Sequence, residues 1–135
     1  MSVATNQSIF VFSEGFDYLS INDLYGQDLG LAAEVFGSSA IRVRESLDLA
    51  RARMKDGDGP EALRRIVHHI KPVFGYTGQP ALKAVVERFE SLCMSDVDRE
   101  RLATEFLLFE QAMLEAAGRV EREHQRLISY INRTV

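Results

Sequence analysis

His68, His69 and Lys71 stand together in VHHIKPVFGYTGQPAL, residues 67–82, with Arg64 and Arg65 just before them and Pro72 and Gly75 just after. A neutral imidazole is a competent nucleophile near neutral pH. A lysine three residues further along a helix lies beside it on the same face. A phosphoryl group carried on such an imidazole would be surrounded by cations that can steady its charge. Histidines can also ligate metals, but adjacent histidines on a helix diverge by about 100°, and the i, i+4 pair of helical zinc sites is missing here. No metal site is expected.

A helical wheel centred on His68 separates the two faces of the segment. Glu61, Arg64, Arg65, Lys71, Pro72 and Gly75 fall within about 60° of His68, and Leu63, Ile66, Ile70, Val73, Phe74 and Thr77 gather opposite. His68 is therefore expected at the centre of an exposed stripe, with His69 on its flank. A mid-helix proline costs roughly 3 kcal/mol. Pro72 is tolerable on an exposed face, where water reaches the carbonyl of His68 that it leaves unpaired. Pro72 and Gly75 keep the stripe in low relief, which suits a macromolecular partner, and Arg64 and Arg65 are placed to contact it.

The rest of the chain must position this helix. Ser20-Ile21-Asn22-Asp23 has the form of a capping box, and Leu24, Leu31, Val35, Ile41, Leu47 and Met54 follow at helical spacing. Gly37 and two serines mark a place for a kink or break. Asp56-Gly57-Asp58-Gly59-Pro60 is a stop followed by a new start. The pattern predicts helices over about 60–77, 79–93 and 97–132, with Gly118 marking where the last one bends or leaves the bundle. Four substantial amphipathic helices joined by short turns predict an all-α fold, an up-down four-helix bundle. The single expected domain has an N-terminal arm (1–17), a core bundle (18–117) and an extension of the last helix (118–135). A short extended piece is admissible in the arm.

Composition narrows the function classes. The 135 residues suit one domain, and the formal charge of −4 argues against nucleic acid as partner. Cys93 is the single cysteine, so no intrachain disulfide forms, and it reads as core. No apolar run approaches the ~18 residues of a membrane span, and the start lacks a basic n-region. A cytoplasmic protein without membrane contact is expected. His124, in VEREHQRL, reads as solvated surface.

His68-His69-Ile70-Lys71, followed by Gly75, by Gly78 and by Gly78-Gln79-Pro80-Ala81-Leu82, resembles the pattern of the histidine-containing phosphotransfer (HPt) domain family. FDYLSINDLYGQDLGLAAEVF resembles that family's opening helix, and GDGPEALRRIVHHIK its approach to the histidine. The similarity covers roughly residues 16–115. Glu90 stands where the family often has Glu or Gln. One departure is Pro72, where the family usually has glycine directly after the lysine.

The resemblance implies a phosphorelay intermediate in two-component signalling rather than an enzyme, a phosphoprotein that neither binds ATP nor phosphorylates itself. His68 would accept a phosphoryl group from a response-regulator receiver aspartate and pass it to another receiver, with Lys71 steadying the group. It implies no cofactor of the chain's own, magnesium being supplied by the receiver. The expected partners are receiver domains and a hybrid histidine kinase, and the expected state is a monomer. The alternative is a non-catalytic helical adaptor that binds a receiver or another protein without carrying phosphate. Pro72 and the long last helix motivate it. HHIKP also has some similarity to the phosphoacceptor segment of histidine-kinase dimerisation helices, but there the proline follows by five residues, not four.

Overall fold

The computed structural model describes residues 9–134, so the first eight residues of the expected arm lie outside the described residues. Five helices follow one another: α1 (Tyr18–Tyr25), α2 (Leu29–Asp56), α3 (Pro60–Tyr76), α4 (Pro80–Met94) and α5 (Arg99–Thr134). The protein is an all-α helical bundle, and among the described residues there is no strand, including in the arm. No helix of the described residues is long and apolar enough to cross a membrane.

The opening helix differs from the expected one. Its cap is Asp17, whose carboxylate accepts from the backbone N–H of Leu19 and Ser20, and not Ser20. The chain is already tied at this point, because the N–H of Asp17 donates to the Gly78 carbonyl at 2.6 Å. Gly26, at φ 58°, ends α1, and Asp28 caps a separate α2 through the Leu31 N–H. The break thus falls at Gly26 rather than Gly37. α2 runs through Gly37, and the hydroxyl of Ser38 bonds back to the Val35 carbonyl, a pairing that helices tolerate.

α5 is continuous over 36 residues, through Gly118, and Val120 and Leu127 beyond it are still buried, so the helix does not leave the bundle there. At 1.5 Å per residue it is roughly 54 Å long. Its first turn is capped by Asp98, which accepts from the Arg101 N–H at 2.8 Å.

α2, α3, α4 and α5 close a ring in which each packs on its two neighbours. Cross-helix pairs show the direction of packing: Ala33 with His124, Arg44 with Glu121, and Arg51 with Glu110 run α2 antiparallel to α5. Arg64 with Glu90 and Lys71 with Glu87 do the same for α3 and α4.

The interior divides into two apolar clusters. The larger joins Val43, Leu47, Leu63, Val67, Ile70, Phe74, Phe89, Phe106, Phe109 and Met113, and Phe89 stacks on Phe109 at 4.5 Å. Each such side chain contributes about 1.5–3 kcal/mol on burial. The smaller holds Phe10, Ile21, Phe36, Val120 and Leu127, with Phe12, Phe16 and Tyr25 against it. The C-terminal part of α5 therefore packs on α2 and on the arm of its own chain. His124 is half-buried there, its Nδ1–H donating to the Ala33 carbonyl at 2.8 Å, and is not the solvated residue expected. The antiparallel α2–α5 contact continues past the larger cluster into the smaller one.

Candidate functional site

α3 owes its two faces to its composition. Leu63, Val67, Ile70, Val73 and Phe74 are buried, which turns the stripe centred on His68 outward. Pro60 opens the helix and Pro72 lies inside it without ending it before Tyr76. Pro72 and Gly75 are both exposed, and a Cβ built on Gly75 would meet nothing within 4 Å. The stripe is flat and open at that end.

The side chain of His68 is 60% exposed, and its Nδ1–H donates to Oε2 of Glu90 at 2.6 Å. Glu90 reaches it from α4 and is itself only 10% exposed. The carboxylate holds the proton on Nδ1, so the lone pair sits on Nε2. No hydrogen bond to Nε2 is made among the described residues.

The cations around His68 are not a free positive field, as the spacing alone suggested. Arg64 forms a forked pair with Glu61, at 3.0 and 2.9 Å, and comes within 3.8 Å of Glu90. Lys71 lies 3.2 Å from Glu87 and 3.9 Å from Glu90. Arg65 reaches Glu61 at 3.5 Å and otherwise projects into solvent. Three cations thus alternate with three carboxylates. The hydrogen bond from Arg64 holds the Glu61 carboxyl below its ordinary value, and the same bond raises the Arg64 guanidinium.

Under this layer, Cys93 is buried one turn beyond Glu90 on α4. Desolvation, with a smaller push from Glu90, raises its thiol to about 11, against the opposing effect of Arg64. A thiol so placed is core, as its sequence position suggested, and not a nucleophile.

α1 and α4 complete the site. His68, Lys71, Pro72 and Gly75 line an open depression of about 750 Å³, whose other walls include Leu19, Asp23 and Leu24 of α1 and Lys83 of α4. Leu19 is 72% exposed and Leu24 49%. Lys83 makes no ion pair among the described residues. Arg64 and Arg65 lie off this depression, one turn toward the start of α3. His69 faces a different groove, between α2 and α3, with Ile41, Arg42 and Leu49. Among the described residues no group of three or more His, Cys, Asp or Glu side chains is placed to hold a metal ion.

Sequence reasoning missed Lys83, Glu87 and the α1 wall. The E-x-x-E spacing of Glu87 and Glu90 was a readable signal, because i, i+3 carboxylates share one helix face and can answer a cationic stripe. Nothing local marks Leu19 or Leu24, since they come to His68 only through the docking of α1.

Three comparisons with known proteins were made with the whole chain: no family model, no curated protein and no solved structure matches it.

Proposed function

We propose that the chain is a phosphorelay intermediate of the HPt kind, with His68 as phosphoacceptor. The observation that carries the reading is the exposed His68 ring whose Nδ1 is held by the shielded Glu90, leaving Nε2 as the nucleophile.

The chemistry follows from that tautomer. The Nε2 lone pair attacks the phosphorus of a receiver's aspartyl phosphate. A P–N bond forms as the P–O bond to the aspartate breaks, and the aspartate leaves as a carboxylate. Nε2 carries no proton, so none has to be removed. The ring becomes cationic, and Glu90 lies against that developing charge. Lys71 borders the depression and balances charge on the phosphoryl oxygens. Passing the group to a second receiver is the same step reversed. The receiver brings the magnesium and most of the catalytic groups.

Pro72 and Gly75 support the reading by leaving a flat approach to His68, and Leu19 and Leu24 add apolar area beside it. Arg65, projecting past Glu61, stands at the edge of a footprint centred on His68.

The test is a transfer assay. Receiver domains phosphorylated by a small phosphodonor are mixed with the protein, and the label is followed through alkali and acid. Alkali-stable, acid-labile label that disappears in His68→Gln and persists in His69→Gln supports the carrier. Label retained in His68→Gln overturns it. A receiver that binds equally well to native protein and to His68→Gln, with no label on either, selects the adaptor reading instead.

A further inference from the structure

We propose that residues 10–17 form a strap, latched to α5 through Glu123, whose release loosens α1 and opens the depression at His68.

The latch is specific. Glu123 is 1% exposed, and its carboxylate accepts from the backbone N–H of Ser13 at 2.6 Å and from the Ser13 hydroxyl at 2.7 Å. Arg126 supports it by four contacts, one of them a hydrogen bond to the Ser13 hydroxyl at 3.0 Å. It bonds Glu123 at 2.9 Å, donates to the Val11 carbonyl at 2.9 Å, and lies over the Phe10 ring at 4.7 Å. Two turns before Arg126 on the same face, Arg119 donates to the Glu14 carbonyl at 3.3 Å and lies over Phe16 at 5.6 Å. Gly15, at φ 99°, lets the chain pass close under Arg119, and a Cβ there would collide with the guanidinium.

The strap leads directly into α1, which has little else to hold it. α1 has eight residues and one buried side chain, Ile21. Its hydrogen-bond ties to the rest of the fold are the N–H of Asp17, the last strap residue, to the Gly78 carbonyl and the Tyr25 hydroxyl to the Tyr76 carbonyl, both 2.6 Å. Ile21 belongs to the smaller cluster, which Phe10 enters and Phe12 and Phe16 cover. When the strap leaves, Ile21 loses part of its cover and α1 becomes the least anchored helix. The larger cluster contains no strap residue, so the ring of α2 to α5 keeps its core.

Release leaves no polar group stranded. Glu123 gains water where it had Ser13, and the freed backbone of residues 11–14 is hydrated. The cost lies mainly in the phenylalanine contacts, which a partner with aromatic or aliphatic side chains can replace on α5. Such a partner binding at the far end of the bundle would change the wall beside His68. The opening of the depression stands on geometry alone, and its effect on phosphotransfer rests on the proposed function.

The test therefore reads geometry and not transfer. Glu123→Gln keeps the shape of the side chain and turns one acceptor into a donor. Amide exchange is measured along the chain, together with ethoxyformylation of His68 by diethyl pyrocarbonate, with His69 as internal reference. The expected result is exchange over residues 18–25 faster by about tenfold or more, the size expected for losing a charge-assisted hydrogen bond. Exchange in α3 and α4 stays as in the native protein, and His68 is modified faster relative to His69. Freed amides over residues 10–17 with unchanged exchange over 18–25 overturn the proposal, as does equal loosening everywhere. Should Glu123→Gln not fold, Ser13→Ala and Arg126→Ala ask the same question from the exposed side of the latch, and unchanged α1 exchange in both overturns it. Absence of phosphotransfer in the native protein would overturn the proposed function and leave this result standing.

Discussion

Oε2 of Glu90 lies 2.6 Å from Nδ1 of His68, across the contact of α3 with α4 and 22 residues along the chain. The same oxygen is 3.8 Å from a guanidinium nitrogen of Arg64. A shielded carboxylate is costly unless paired, and here the histidine and the cations of α3 pair it. The group that orients His68 is thus held in place by residues of the same stripe on α3.

Replacing Glu90 separates orientation from charge. In Glu90→Gln the amide oxygen still accepts from Nδ1–H, so label still forms on His68. The phosphorylated ring loses its counter-charge and turns over faster. In Glu90→Leu the tautomer is no longer fixed. A hydrogen bond to a charged group is worth about 1.5–3 kcal/mol, so labelling slows about ten- to a hundredfold. The time course of alkali-stable label in both variants is the measurement.

Lys83 lines the depression and has no carboxylate partner among the described residues, in contrast to Lys71. Lys83→Glu is expected to weaken binding of a phosphorylated receiver about two- to fivefold at low salt, the scale of an exposed charge. The difference shrinks at high salt, where such charges are screened. Titrations at two ionic strengths check it, and an equal loss at both would assign Lys83 a structural role.

Gly37 is a close-contact residue and not a break in α2. A Cβ there would come within 2.8 Å of Cε1 of His124, whose ring is pinned to the Ala33 carbonyl. Overpacking costs about 1–3 kcal/mol, against a gain of up to about 1 kcal/mol from replacing a helical glycine. Gly37→Ala is expected to lower the melting temperature by about 2–6 °C. Adding His124→Ala removes the obstruction and should recover part of the loss, which calorimetry of the single and double variants will show.

The Arg44–Glu121 pair gives a pH signature. The hydrogen bond from Arg44 holds the Glu121 carboxyl below its ordinary 4.5. A carboxyl depressed in the folded state adds stability that is fully present above its unfolded value and is lost as pH falls through the folded one. Both side chains are about half exposed, so solvent screening limits the contribution to about 0–1 kcal/mol. Arg44→Gln is expected to be slightly less stable than the native protein at pH 6, with the gap closing below about pH 4. Thermal melts at the two pH values test this, and a gap that widens on acidification would refute it.

The exposed stripe on α3 was legible in the sequence because helical periodicity is local. Once Leu63, Val67, Ile70 and Phe74 must be buried, His68, Lys71 and Arg65 must face out. The same argument reads the helices from their spacing and the stop at Asp56–Pro60. It fails at Gly37, because a glycine that breaks a helix and one that admits a neighbour look alike in one dimension. Gly37 meets His124 from 87 residues away, and only packing of α2 on α5 shows it.

The charge state of the site was hidden for a similar reason. Arg64, Arg65 and Lys71 read as a cationic patch until Glu87 and Glu90 are brought across from α4. Side-chain type and helical period determine which residues face outward, and those are properties of the chain alone. The tautomer of His68, the pairing of its cations and the latch between Ser13 and Glu123 depend on groups distant in sequence meeting within hydrogen-bond reach. That meeting is decided when two helix faces bury their apolar sides against each other, and it exists only in the folded molecule.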